Sequence, residues 1–151
     1  MATLVADRAV LDTNVLLAAT DQARERHMQA LAALNVWPAS GLVLYTSGQI
    51  MREYLAVATR PVDRNGLGMG RRDAIANVRA LRARLNLLAE DIKVSDRLLQ
   101  LLETVECAGK QVHDANVVAT MLVHGIDTLV TMNVGDFARF GDHVQVADLR
   151  F

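Results

Sequence analysis

Ala9-Val10-Leu11-Asp12-Thr13-Asn14-Val15-Leu16-Leu17-Ala18-Ala19 sets the architecture of this chain. Ala9 to Leu11 reads as a short buried strand. Thr13-Asn14 then opens an apolar helix, Val15 to Ala19. A strand that feeds a helix through an acidic residue is a βα junction, and it places Asp12 at the carboxyl end of a strand.

The rest of the chain repeats this alternation. Asp21 to Leu34 reads as a helical run, with Met28, Leu31, Ala32 and Leu34 on one side. Pro38 to Gly41 makes a turn, and Leu42 to Tyr45 a second strand. Ser47 is a helix N-cap for a run to Thr59, which Pro61 stops. The glycines of Asn65 to Gly70 do not make a phosphate-binding loop, which needs a preceding strand and a Lys-Ser/Thr ending. Arg71 to Leu85 is helical by the spacing of Ile75, Val78, Leu81 and Leu85. Ser95 caps a further helix through Val105, stopped at Gly109. Val112 to His124 forms the next, closed by Gly125. Thr128 to Thr131 and Val144 to Val146 read as the last strands. No β-hairpin signal occurs, so the pattern predicts one α/β domain over 1–151 with a mainly parallel central sheet.

Topology then gathers the acids. Ligands of open α/β sheets bind beyond the carboxyl ends of the strands. Asp12 follows the first strand, and Asn133 follows Thr128 to Thr131, with Asp136 just beyond. Glu53 lies early in the helix after the second strand and borders the face of Ile50 and Val57. Asp114 begins a helix whose face continues in Val117, Val118 and Met121. A carboxylate turned toward an apolar interior needs a cation or a shared proton. Acid and amide oxygens without Cys or His partners suit hard divalent cations, and hence metal-assisted hydrolysis of a phosphodiester. Taken singly, each residue has a plainer reading. Asp12 and Asp114 serve as helix-terminal acids, Glu53 as a surface residue, and Asn133 and Asp136 as turn residues.

Composition narrows the field. A length of 151 residues and a net charge of −1 fit a compact domain with a real core and give no overall bias toward a polyanion. No apolar stretch is long enough to span a bilayer, and Met1 to Arg8 lacks the apolar core of a signal peptide. With Cys107 as its single cysteine, the chain is expected to be cytoplasmic. Charge is uneven, however. Eight arginines lie between Arg52 and Arg84, opposed by three acids, Glu53, Asp63 and Asp73. Arg52, Arg60, Arg64, Arg71 and Arg72 are candidates for a nucleic-acid backbone, or simply a solvated surface. Trp37, Tyr45, Tyr54, Phe137, Phe140 and Phe151 are too few for a stacking platform. His27, His124 and His143 lack zinc spacing.

The four motifs, in their order, resemble the PIN-domain ribonucleases, and within them the VapC-type toxins of bacterial toxin–antitoxin pairs. Leu11-Asp12-Thr13-Asn14-Val15-Leu16-Leu17 looks like the family's opening, Glu53 its second acid and His113-Asp114-Ala115 its third. Thr131-Met132-Asn133-Val134-Gly135-Asp136-Phe137 looks like its closing motif. The loop from Arg60-Pro61 to Gly68 looks like one subgroup. The fourth acid is often Asp, whereas this chain has Asn133, so either Asp136 supplies the charge or the site holds metal more weakly.

The resemblance implies an α/β/α sandwich and an endoribonuclease using Mg²⁺ or Mn²⁺, leaving a 5′-phosphate and a 3′-hydroxyl. Asp12 and Asp114 would be principal metal ligands, with Glu53 binding through water or positioning it, and Asn133 and Asp136 completing the shell. Thr13, Asn14, Thr131 and His113 would support them. An RNA substrate, a cognate antitoxin and a homodimer are implied as partners. Three other readings remain open: a PIN domain that binds RNA without cutting it, a housekeeping RNA-processing nuclease, and an Asp-dependent phosphatase or phosphoacceptor domain.

Overall fold

The structure, a computed structural model, describes residues 6–149. The segment 1–5, on which much of the signal-peptide expectation rests, lies outside the described residues, as does Phe151. Five strands form one parallel sheet: β1 (Arg8–Leu11), β2 (Val43–Ser47), β3 (Asn86–Leu88), β4 (Thr128–Thr131) and β5 (Gln145–Asp148). Their order across the sheet is β3-β2-β1-β4-β5. The helices are α1 (Thr13–Thr20), α2 (His27–Asn35), α3 (Gly48–Thr59), α4 (Arg71–Arg84), α5 (Ile92–Thr104), α6 (Gln111–His124) and α7 (Val134–Phe137). The expected α/β fold with a parallel sheet is therefore present.

Strand order explains the layers. The chain leaves the central strand β1 in one direction, to β2 and β3, then returns to β4 on β1's other side and ends at β5. Right-handed crossovers put the helices of the outward leg on one face and those of the return leg on the other. Accordingly α1 packs on α2 and α3, while α5 packs on α6. Covered on both faces, the middle of the sheet reads as apolar runs. Ala9, Val10 and Leu11 of β1 are buried, and so is every residue of β4.

Four expectations need correction. Asn86–Leu88 is a third strand, pairing with Tyr45 to Ser47 of β2. At three residues it is too short for alternation to register, and it directly follows a helical run. Secondly, Asp91, not Ser95, caps α5, its carboxylate accepting from the amides of Lys93 and Val94. Ser95 lies exposed within the first turn. Thirdly, α2 starts at His27 rather than at Asp21. The Asp21 carboxylate accepts from the Ala23 amide in a tight local turn, and Arg26 takes a left-handed backbone with φ 62°. Finally, Ala30, Ala33 and Leu34 are the buried residues of α2, while Met28 is 71% exposed.

The loop after α3 is tied to the end of that helix. Leu67 and Met69 amides donate to the carbonyls of Val57 and Ala58, and the Gly68 amide donates to Arg60. A side chain at Gly66 would collide with the Arg60 carbonyl, so only glycine allows this return. Gly66→Ala is expected to destabilise the fold by about 3 kcal/mol in chemical denaturation, because the obstacle is backbone that cannot step aside. Asp91→Ala should cost about 1 kcal/mol and Ser95→Ala only a few tenths, roughly. Equal effects of these two would put the cap back at Ser95.

Candidate active site

Asp12 sits where β1 and β4 lie side by side and the chain reverses its direction across the sheet. Such a switch point leaves a crevice between neighbouring strand ends, since the connections on either side lead to opposite faces. Asp12 and Asn133 reach that edge because they follow β1 and β4. Glu53 reaches it on the second turn of α3, the helix leaving β2. Asp114 reaches it by another route. Helix α6 precedes β4 and runs antiparallel to it, so its N-terminal turn lies at the strands' carboxyl edge.

Asp12, Thr13, Asn14, Glu53, Asp114, Asn133 and Asp136 line one open cleft of about 230 Å³, with Leu17 and Phe137 as its apolar side. Of the candidates for a supporting role, Thr131 lies behind the cleft wall, buried. His113 is exposed, and its backbone carbonyl faces inward to accept from Gln49 at 2.8 Å. Arg52, Arg60, Arg64, Arg71 and Arg72 are exposed and none lines the cleft. Arg52 instead lies 3.9 Å from Glu90.

The wiring of Asp12 leaves little freedom. Its Oδ1 accepts from the Thr13 amide at 2.8 Å, and its Oδ2 from the Thr131 hydroxyl at 2.8 Å. Thr131 Oγ1 itself accepts from Asn14 Nδ2 at 3.1 Å and from the Asn133 amide at 3.0 Å. Both of its lone pairs are taken, so its one hydrogen belongs to Asp12. Asn14 Oδ1 takes the Met132 amide at 3.1 Å, which locks α1 to the end of β4. Asp12 thus caps α1 and also presents a fixed, acceptor-only carboxylate to the cleft.

Glu53 is held in the same manner. Its Oε2 accepts from Thr13 Oγ1 at 2.9 Å and its Oε1 from Gln49 Nε2 at 2.9 Å. Among the described residues, no side-chain hydrogen bond joins Asp114, Asn133 or Asp136 to the network, and no Arg or Lys forms an ion pair with any of the cleft acids. Burial raises the Asp12 pKa to about 6 against the opposing Thr131 and Thr13 hydrogen bonds, with Glu53 and Asp114 adding repulsion. Burial also lifts Asp114 to about 6, helped by Asp136 and Glu53 and countered by Arg139 and His113. Arg139 spends one guanidinium hydrogen on the Glu106 carbonyl at 3.0 Å.

Among the described residues, no three His, Cys, Asp or Glu side chains stand close enough to form a metal cage by themselves. The donor set is all oxygen, negatively charged and open on one side. That fits Mg²⁺, which takes one or two carboxylates and keeps its remaining positions for water and substrate phosphate. It does not fit a closed structural site.

Gln49, Asn116, Glu90 and Arg139 escaped sequence reading. Gln49 precedes Glu53 by one helical turn, which places both on one face. Glu90 follows β3, and only recognition of that strand brings it to the edge.

The raised Asp12 pKa carries a sign for stability. The native state holds this proton more tightly than the unfolded chain, so the contribution is complete below about pH 4 and is lost as pH rises through about 6. The loss amounts to roughly 3 kcal/mol at most. Without added metal, stability of the wild type minus that of Asp12→Asn should fall between these two pH values. Thermal unfolding across pH 4–8 measures it, and parallel curves would put Asp12 in a solvated setting.

Comparison with known proteins places these features in context. The PIN domain family matches residues 9–142. No curated protein sequence matches the chain. Solved structures share the fold at low identity. One is VapBC2 from Rickettsia felis bound to a promoter DNA fragment, with TM-score 0.69 and 16% identity over 93% of this chain and 98% of that one. VapBC-1 from nontypeable Haemophilus influenzae gives TM-score 0.67 and 20% identity over 94% and 98%. VapC20 from Mycobacterium tuberculosis, described as a Sarcin-Ricin loop cleaving toxin, gives 0.56 and 21% over 80% and 86%.

Proposed function

The chain belongs to the PIN-domain family, and we propose that it is a metal-dependent endoribonuclease, the VapC-type toxin of a toxin–antitoxin pair acting on cytoplasmic RNA. The observation that carries this reading is the cleft at the switch point, which Asp12, Glu53, Asp114 and Asp136 all line although the sequence separates them widely. Among the described residues no Arg or Lys pairs with these four acids, and burial together with their mutual repulsion raises the pKa values of Asp12 and Asp114. A divalent cation relieves both.

Asp12 and Asp114 would hold Mg²⁺ or Mn²⁺, with Asp136 supplying the charge that Asn133 lacks. When bound, the ion polarises a phosphoryl oxygen and lowers the pKa of coordinated water. Glu53, fixed from behind by Thr13 and Gln49, keeps lone pairs toward the cleft and orients the attacking water. Thr131 and Asn14 keep Asp12 from rotating. A new P–O bond forms from water as the P–O3′ bond breaks. The leaving oxygen gains a proton, giving a 3′-hydroxyl and a 5′-phosphate. The exposed arginines Arg52, Arg60, Arg64, Arg71 and Arg72 would grip flanking phosphates, without sequence readout. Several structural neighbours are toxin–antitoxin complexes. A cognate antitoxin would therefore cover this cleft, delivering a basic side chain to the acids, and the toxin would act as a homodimer.

The decisive experiment incubates purified protein with total RNA and Mg²⁺ or Mn²⁺, with Asp12→Asn alongside. Discrete metal-dependent cuts are expected, reduced by about 10²- to 10³-fold in the variant, the loss typical when a charge-stabilising group is removed. At metal concentrations below saturation, the rate should rise with pH through about 6, because protons on Asp12 and Asp114 compete with the cation. Retained cutting by folded Asp12→Asn would refute the assignment. RNA binding without cutting by the wild type would favour a non-catalytic PIN domain, the reading that the open donor set also permits.

A further inference from the structure

Behind the cleft a second polar network joins three elements. Gln49, only 5% exposed, does not line the cleft, yet its side chain reaches both halves of it. One Nε2 hydrogen goes to Glu53 Oε1 at 2.9 Å. The other goes to the carbonyl of His113, the residue before Asp114, at 2.8 Å. Its Oε1 accepts from Asn116 Nδ2 at 2.6 Å. Asn116 Nδ2 also donates to Glu90 Oε1 at 2.8 Å. Glu90 Oε2 takes the Gln49 backbone amide at 2.9 Å.

These bonds fix one polarity along the chain. An ionised carboxylate can only accept, so Glu90 demands the NH₂ side of the Asn116 amide. That NH₂ then demands the oxygen of Gln49. With its oxygen turned away, Gln49 has only hydrogens left for Glu53 and for the His113 carbonyl. A flipped Gln49 would set an oxygen against two other oxygens and release Glu53 from its seat. The pocket on the far side of Glu90, lined also by Arg52, Asp91, Ser95 and Asn116, stays outside the acidic cleft, so this control is exerted from behind.

We propose that Gln49 is a positioning residue, oriented by Glu90 through Asn116, which holds Glu53 and the Asp114 turn at the separation that metal binding and hydrolysis require. This rests on the nuclease reading above. Loss of an outer partner of this kind commonly lowers metal affinity or activity by about 10- to 100-fold.

Two variants test it. Gln49→Ala removes the link. Asn116→Asp is nearly isosteric and leaves the cleft wall untouched; sharing one proton with Glu90, it turns only oxygen toward Gln49, so Gln49 must turn its NH₂ away from Glu53. Mn²⁺ affinity, read directly by water-proton relaxation, should fall about 10- to 100-fold in both variants, and kcat with it, while KM for RNA stays near the wild-type value. Folded variants that bind Mn²⁺ and cut RNA like the wild type would overturn the proposal. If the wild type binds Mn²⁺ without cutting, the nuclease reading fails while the affinity comparison still decides the role of Gln49. Should it do neither, the side-chain amide resonances of Gln49 decide. They are expected to shift in both Glu53→Gln and Asn116→Asp, and unmoved resonances would refute the wiring.

Discussion

A single hydrogen bond, from the Thr131 hydroxyl to Asp12 across the ends of the two central strands, is the constraint on which the site depends. It exists because β1 and β4 are neighbours in a sheet whose chain has left one strand and returned to the other from the far side. With both Thr131 lone pairs occupied, the bond has only one direction, and Asp12 is an acceptor by geometry rather than by choice of rotamer. The same residue satisfies an amide at the start of α1. Capping and site-building are thus one role.

Charge and burial act against each other here. Asp12 is 8% exposed and stands among acids, which the fold tolerates by donating hydrogen bonds to it and by leaving the cleft open. Neutral donors hold Asp12 and Glu53 in place without cancelling their charge. A salt bridge would have stabilised the same carboxylates more cheaply, but it would have neutralised the negative potential that attracts a cation. The basic groups stay at a distance: Arg139 tempers Asp114 through space, and Arg52 is engaged near Glu90.

Much of this was legible beforehand. Strand β1 and its burial, its junction with α1, strand β4, and Ser47 as the α3 cap all follow from local pattern, since burial on both faces makes short apolar runs and capping uses local side chains. The glycine after α6 is of the same kind, with Gly125 at φ 69°. Strand β3 and the start of α2 were not legible. A three-residue strand carries no period, and the left-handed Arg26 is held by an ion pair with Asp148, 122 positions away.

The sequence by itself determined which residues stand at strand ends and helix starts, because hydrophobic period and capping chemistry are local. It therefore named every acid of the cleft: Asp12, Glu53, Asp114 and Asp136. Only the tertiary structure decided how those acids are held, which neighbours orient them and which arginines stay outside. Gln49, Asn116 and Glu90 come from different elements, and their shared polarity arises from matching donors to acceptors across space. No local signal encodes that match, since a buried amide finds its orientation only when the carboxylate that fixes it has arrived.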